Sequence, residues 1–283
     1  MKKVWFITGA SKGLGLSLVH QLLRAGQAVA ATSRNIDELK KAVNDETGKF
    51  LPLAVNLADE KSVEDAIQAT IAKFDRIDVV INNAGYGIGG SIEELTDAET
   101  RNSFDVNVFG TINVIRKVSP HLRAQRAGHI INIASIAGIA GATGWAIYSA
   151  AKSAVIALSE VSAEDLKEFG VKVTVVAPGA FRTSFLTADS LVLAANPIAE
   201  YEEVRTIHNK YLKMDGQQIG DPEKAAAAMI SLAGMPNPPV HLLLGKDAFQ
   251  RANSKIESLT KEFNNWKAIT ISTDFENYEL TGN

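Results

Sequence analysis

Short apolar runs rich in Val, Ile, Leu and Ala recur along the chain, bounded by Gly, Pro, Asn or Ser, and longer stretches of helical period lie between them. Strands buried on both faces read as continuous apolar runs, so this alternation predicts βαβ units and a parallel sheet covered on both sides. The predicted strands are KVWFIT (3–8), AVAATS (28–33), FLPLAVNL (50–57), DVVINNAG (78–85), HIINIAS (129–135), KVTVVAPG (172–179) and VHLLLG (240–245). Predicted helices cover 13–26, 36–46, 59–74, a single long segment 96–122, and the segment around Tyr148. The fold expected is α/β, a doubly wound parallel β-sheet of about seven strands with helices on both faces. No repeat or low-complexity linker divides the chain, so 1–283 is read as one domain with its core at 3–245. Two regions fall outside the rhythm: 183–220, and a C-terminal helical extension and tail at 246–283.

Charge narrows the partners. The formal net charge is −3, from 29 basic and 32 acidic residues with no dense basic run, which offers no footprint for nucleic acid or a membrane surface. Small-molecule partners are expected. There is no cysteine, which excludes disulfides and thiolate chemistry, and the five histidines, His20, His121, His129, His208 and His241, show no metal-ligand spacing. The opening MKKVWFITGA breaks at Thr8-Gly9, too early for a signal-peptide core, and the protein is read as cytoplasmic.

In a doubly wound sheet ligands bind at the carboxyl ends of the strands. The first strand ends in TGASKGLG, where Gly9 permits a tight turn, Gly13 a close backbone approach to a phosphate, and Gly15 close packing of the next helix. Ser11, Lys12 and Leu14 belong to the same loop. Strand four ends in Asn83-Ala84-Gly85, strand five in Ser135, and strand six in Pro178-Gly179 followed by Phe181 and Thr183. Tyr148 and Lys152 are four residues apart, which on a helix puts their Cβ atoms about 5–6 Å apart on one face. IASIAG around Ser135 lacks the first glycine of a nucleophile elbow, since Ile133 stands there, which argues against a hydrolase.

Taken in order, these motifs closely resemble the short-chain dehydrogenase/reductase family, whose fold is Rossmann-type, from Lys3 to about Gly245. The glycine loop matches Thr8 to Gly15, NNAG matches Asn82 to Gly85, Tyr-x-x-x-Lys matches Tyr148 and Lys152, and the serine thirteen residues before the tyrosine matches Ser135. Asn107 in DVNVFG matches the family's mid-helix asparagine, and Pro178-Gly179 its Pro-Gly turn. One departure is Asn56, with Leu57 after it, where the family usually has an aspartate that accepts from the adenine amino group; an asparagine carbonyl can accept that bond too.

The resemblance implies a catalytic set of Asn107, Ser135, Tyr148 and Lys152. A free tyrosine titrates near pH ~10, and a neighbouring ammonium favours its phenolate. In the reductive direction Tyr148 would donate its proton to a carbonyl oxygen, Ser135 would hydrogen-bond that oxygen, Lys152 would also grip the nicotinamide ribose, and Asn107 would hold a water that refills the proton. The expected function is NADPH-dependent reduction of a ketone or aldehyde, reversible. A catalytically silent NADP(H)-binding sensor on the same fold is the alternative. NADP(H) is preferred over NAD(H) because Ser33-Arg34-Asn35 stands where an NAD enzyme carries an acid, and Lys12 could reach the same 2′-phosphate. Asp37 is the competing partner for a 2′-hydroxyl.

The segment 183–220 carries Phe185, Leu186, Leu191, Val192, Leu193, Ile198, Tyr201 and Tyr211, near Trp145 and Phe181. It is read as a helical lid over a bulky apolar or aromatic substrate, the alternative being that these residues pack into the protein's own core. Small and apolar residues cover the Tyr148 helix more widely than a single sheet-facing stripe requires. By resemblance this helix and the one holding Asn107 pair with their copies, giving a homodimer, with a tetramer the other option. The extension after Gly245 is expected to cover the sheet edge used for tetramers.

Overall fold

In the computed structural model, which describes residues 2–275, the seven predicted apolar runs form one wholly parallel sheet. The first half of the chain runs β1 (Val4–Ile7), α1 (Gly13–Arg24), β2 (Ala28–Ser33), α2 (Ile36–Val43), β3 (Phe50–Ala54), α3 (Glu60–Phe74) and β4 (Val79–Asn82). It continues through β5 (Gly87–Gly89), α4 (Asp97–Phe104), α5 (Gly110–Gln125), β6 (Gly128–Ile133), α6 (Ala146–Asp165) and β7 (Val171–Pro178). The last part contains β8 (Leu191–Leu193), α7 (Glu202–Leu212), α8 (Pro222–Leu232), β9 (His241–Leu244) and α9 (Lys246–Ile271). Strand order is β3-β2-β1-β4-β6-β7-β9, so the winding reverses between β1 and β4 and a crevice opens beyond their carboxyl ends.

Strand alternation explains why both faces are apolar. Trp5 and Ile7 of β1 pack with Leu18, Val19 and Leu22 of α1 and Met229 of α8, whereas Phe6 between them packs with Val63 and Ile67 of α3 and Val114 and Val118 of α5. Small Ala225 and Ala226 let α8 approach α1 closely, and both are fully or almost fully buried.

Several boundaries differ from the expected ones for local reasons. The helix expected over 36–46 stops at Val43 because Asn44 turns left-handed at φ 46°. Strand β3 ends at Ala54 rather than at 57, where Asn56 begins a turn and its side chain accepts from Ala58 N at 3.2 Å. The single helix expected over 96–122 is divided. It starts at a Thr96–Glu99 capping box, widens into one π-helical turn at Asp105–Phe109, and resumes as α5 to Gln125.

The region expected to be a helical lid is only partly helical. β8 pairs in parallel with β5, and α7 follows. Leu191 and Leu193 could approach because β5 is nearly bare: a Cβ on Gly87 would lie 3.1 Å from Leu191 Cδ1, and one on Gly89 2.8 Å from Leu193 Cδ2. The extension also departs from expectation. Ala248 and Ala252 bury against Ile136, Ile139, Ala140 and Leu243, so α9 covers only the end of the edge strand β9 and its outer turns stand clear. Among the described residues no helix is long and apolar enough to cross a membrane.

Candidate active site

The carboxyl ends of the strands open into one continuous cleft of about 1810 Å³. At one end is the turn between β1 and α1. Gly9 at φ 65° and Gly13 at φ 57° hold backbone that other residues rarely adopt, and a Cβ on Gly9 would lie 2.6 Å from Ala84 Cα. Asn83 locks the turn by donating from Nδ2 to Thr8 O at 3.0 Å and Gly9 O at 2.9 Å, and Thr8 Oγ1 accepts from the N–H groups of Asn83 and Ala84. Gly15 faces inward under this turn, where a Cβ would meet Gly9 O at 2.5 Å, while Ser11, Lys12, Gly13 and Leu14 line the cleft.

Helix α1 begins with no side-chain cap and no acidic residue in its first turn, whereas α2, α3, α4 and α8 are each capped by a side chain. Its first amides therefore have no protein acceptor from a capping side chain, and the helix dipole adds to their attraction for an anion. That environment fits the pyrophosphate of a dinucleotide.

Ser33, Arg34, Asn35, Asn56 and Leu57 line the far wall, where an adenosine would lie. Two of these side chains are already engaged. Asn35 caps α2 by accepting from Asp37 N and Glu38 N, and its amide donates to Glu38 Oε1 at 2.9 Å. Asn56 Oδ1 accepts from Ala58 N, leaving one lone pair for the adenine bond expected of it. Asp37 sits in the first turn of α2 and is not part of the cleft wall, whereas Glu38 is. Lys12 Nζ donates to Asp189 O at 3.2 Å, joining the glycine loop to the segment that precedes β8.

The middle of the cleft holds Ser135, Tyr148 and Lys152, with Gly85, Pro178, Gly179, Phe181 and Thr183 opposite. Ser135 lies two residues beyond β6 and its side chain accepts from Ala137 N at 3.1 Å. Tyr148 and Lys152 share one face of α6, as the spacing predicts, and the ammonium lies 5.9 Å from the phenol ring centre. Lys152 Nζ donates to Ile133 O at 3.0 Å. Asn107 is not in the cleft wall. It stands behind Gly85 in the π turn, accepting from Tyr86 N at 3.2 Å and donating to Tyr86 O at 3.1 Å and Ser103 Oγ at 3.2 Å.

Burial overrides the expected influence of the lysine on the tyrosine. It pushes the Tyr148 phenol up to about 12, with the Ser135 hydroxyl pulling weakly the other way. Burial also pulls the Lys152 ammonium down to about 8, because the charged form has lost its water. The pair alone therefore holds a neutral phenol rather than a phenolate.

Beyond Tyr148 the cleft has an aromatic wall. Trp145 lies edge-on to Tyr148 at 6.4 Å and to Tyr211 at 5.3 Å between ring centres, and Phe185 lies 5.8 Å from Tyr148. Of the apolar residues expected in the lid, Phe185, Leu186, Val192 and Tyr211 line the cleft. Leu191 and Leu193 instead pack beneath it, and Tyr201 turns away to donate to Glu93 Oε2 at 2.8 Å. The lid is fastened by Glu94, a buried carboxylate that accepts from Ser91 N and Ile198 N at 2.8 Å each and from Arg205 Nη1 at 2.6 Å. Burial alone would raise its pKa, but the Ser91 amide, the Arg205 guanidinium and the Ile198 amide together hold it at about 2.

The motifs missed several wall residues, among them Met214, Gln218, Asp247 and Arg251. Asp247, in the first turn of α9, accepts from Ala180 N at 2.8 Å and clamps the Pro178-Gly179 turn. Only the absence of a side chain at Gly179, where a Cβ would overlap this carboxylate, hints at that contact. Among the described residues no group of acidic and histidine side chains could hold a metal ion.

Comparison with known proteins agrees with this arrangement. Residues 3–191 match the short chain dehydrogenase family. The chain is 35% identical to Oxidoreductase BOA17 of Botryotinia fuckeliana over 276 residues, 96% of this chain and 100% of that protein. It is 34% identical to a 3-ketodihydrosphingosine reductase of Bacteroides thetaiotaomicron over 243 residues, covering 86% and 88% of the two chains. A short-chain dehydrogenase from Streptomyces avermitilis has the same fold with a TM-score of 0.89 at 32% identity, over 97% of this chain and 100% of that one. ElxO, solved with NADP bound, superposes with a TM-score of 0.71 at 27% identity, over 86% and 97%. The chain therefore belongs to the short-chain dehydrogenase family of oxidoreductases, whose members use nicotinamide cofactors and act on small molecules.

The depressed lysine makes a prediction about stability that needs no substrate. An unfolded lysine titrates near 10.5 and the folded Lys152 near 8, so between those values the unfolded chain binds more protons and stability rises with pH. Below about pH 8 both forms are protonated and the burial penalty is fully present. In urea unfolding, the stability of the wild type relative to Lys152→Met should therefore climb from pH 8 towards 10.5. A flat difference across that range would contradict a desolvated ammonium at this position.

Proposed function

We propose that the protein is an NADPH-dependent reductase that converts a bulky apolar or aromatic ketone or aldehyde to its alcohol. The observation that carries this reading is the neutral, buried Tyr148 beside Ser135 and Lys152, in one cleft with an uncapped α1 N-terminus and an aromatic wall. A reduced nicotinamide held in this cleft would supply the hydride for the carbonyl carbon. Tyr148, a neutral phenol whose pKa burial raises further, gives its proton to the carbonyl oxygen as charge grows there. Ser135 Oγ donates a hydrogen bond to the same oxygen and stabilises that charge. Lys152 lowers the cost of leaving a phenolate behind and holds the nicotinamide ribose, while Asn107 behind Gly85 positions the route by which the proton is replaced.

Gly13 and its neighbours would hold the pyrophosphate, with Ser11, Leu14 and Gly15 shaping the turn. Asn83, Ala84, Gly85, Pro178, Gly179, Phe181 and Thr183 would hold the ribose and nicotinamide end of the cofactor. The choice between cofactors rests on this chain's own residues, because among similar folds ElxO is solved with NADP and a Burkholderia phymatum dehydrogenase, alike at 20% identity, with NAD. Arg34 and Lys12 favour a 2′-phosphate, and Asp37 lies in the first turn of α2, outside the cleft wall.

Three measurements test these assignments. Tyr148→Phe should lower kcat for NADPH-linked carbonyl reduction by on the order of 10²-fold or more with little change in cofactor affinity; a variant within a few-fold of wild type would remove Tyr148 from the chemistry. If no carbonyl compound elicits turnover while NADPH still binds, the protein is instead a silent sensor. Across a substrate panel, aryl ketones should give higher kcat/KM than small polar carbonyls, and the reverse order would reject the aromatic wall as a specificity element. Arg34→Ala should weaken NADPH by roughly 10- to 100-fold and leave NADH nearly unchanged, as expected for one charge-assisted contact; equal loss for both cofactors would overturn the NADPH assignment.

A further inference from the structure

Charge is unevenly shared along the cleft wall. Of its acidic residues, Glu38 is bonded to Asn35 at the start of α2, Glu99 and Asp105 lie with Arg34 close enough to act on the Tyr86 phenol, and Asp189 adjoins the glycine turn through Lys12. These four belong to the end assigned to the cofactor. Beyond Tyr148 the wall carries two cations, Lys210 beside Tyr211 on α7 and Arg251 on α9, against one acid, Asp247. That acid is already engaged. It accepts from Ala180 N, and a Cβ on Gly179 would overlap both its oxygens, so the carboxylate is pressed against this turn. Neither Lys210 nor Arg251 forms an ion pair among the described residues, on a chain whose net charge is −3.

Arg251 is partly buried and donates from Nη2 to Ala140 O, in the loop that leads from Ser135 to Ala142 and Trp145. Its other N–H groups have no acceptor among the described residues. Gln218 shares this wall: it is 2% exposed, and neither its Nε2 nor its Oε1 has a hydrogen-bond partner among the described residues. The pairing of Gly220 with Phe181 brings Gln218 alongside the Pro178-Gly179 turn that Asp247 clamps, and Arg251 follows one helical turn after Asp247. A guanidinium without a counter-charge beside an apolar wall and a buried amide without a partner both cost free energy, which a ligand with acceptor oxygens recovers.

We infer that the substrate is an oxo acid, an apolar or aromatic body whose carboxylate, remote from the reacting carbonyl, is held by Arg251. Gln218 Nε2 is a second donor for it, and exposed Lys210 attracts its charge from the rim. The inference rests on the reductase reading of the same cleft and adds a charged end to the substrate. A carboxylate fits the planar fork of one guanidinium, accepting two parallel N–H bonds, whereas the glycine turn and uncapped α1 suited to a phosphate lie at the other end.

Benzoylbutyrate and its methyl ester, similar in shape and different in charge, test this by calorimetry on the full chain with NADP⁺ bound, which fills the phosphate-binding end. Wild type should bind the acid at least about 10-fold more tightly than the ester, and Arg251→Met should weaken the acid by roughly 10- to 100-fold while changing the ester by no more than a few-fold. Lys210→Met should weaken the acid only a few-fold, an effect that raised salt erases. Circular dichroism verifies that the variants are folded, and the comparison of acid with ester in the wild type needs no variant. Equal affinity of the wild type for the two compounds, binding of neither, or an Arg251→Met variant that loses both alike, as a mere tie to Ala140 would, overturns the inference. NADPH consumption is followed separately. Acid bound through Arg251 with no turnover of any carbonyl compound upholds the carboxylate site and rejects the reductase reading, whereas turnover of aryl ketones with no preference for the acid upholds the reductase and rejects the site.

Discussion

The site is organised around the burial of the Lys152 ammonium, which donates to the Ile133 carbonyl at 3.0 Å inside the fold. Its surroundings have no room for anything larger than glycine. A Cβ on Gly85 would lie 3.2 Å from Lys152 Nζ and 2.6 Å from Asn107 Oδ1, and one on Gly138 would lie 2.7 Å from the Lys152 carbonyl carbon. The π turn that carries Asn107 falls at this point, where a regular helix would present a different side chain to Gly85. Desolvation then sets the protonation of the pair. The lysine is easier to discharge and the tyrosine harder to ionise than either would be in water, which leaves a proton on the phenol and a charge beside it that is costly until a ligand shares it.

The other half of the cleft is built by bringing a second layer of chain over the strand ends. Three glycines, Gly87, Gly89 and Gly90, clear space for Leu191, Leu193 and Ala194, and the buried Glu94 ties the layer down through Ser91, Ile198 and Arg205. Lys12 reaches across to Asp189, joining the glycine loop to the segment before β8, and Asp247 reaches in from α9 to hold the turn after β7.

Much of this was legible in the chain because it depends on local rules. Doubly buried strands betray themselves as continuous apolar runs, and the glycine loop, the Tyr148–Lys152 spacing and Ser135 at a strand end are short-range features. What could not be read depends on contacts between distant segments. The β5–β8 pairing joins two three-residue strands about a hundred positions apart, too short to show any periodicity. The π turn adds no composition signal to an otherwise helical run, and Asp247 looks like an ordinary helix-start acid until its carboxylate is seen on Ala180 N. The net direction of the Tyr148 shift in the free protein was hidden for a related reason. Charge proximity was visible in the spacing, but the burial that outweighs it is a property of the assembled core.

Burial holds the Tyr148 phenol well above the ordinary tyrosine range in the free protein, and the proposed role in proton transfer requires the positive charge of an oxidised cofactor to bring it down. Tyrosinate absorbance, taken as the difference between wild type and Tyr148→Phe across alkaline pH, measures this directly. Without cofactor the difference should show no ionisation through the ordinary tyrosine range near 10, consistent with a phenol held up to about 12. With NADP⁺ bound, a tyrosinate signal should appear at distinctly lower pH. A Tyr148 that ionises near 10 in the free protein, or one whose titration does not move when NADP⁺ binds, would contradict the account.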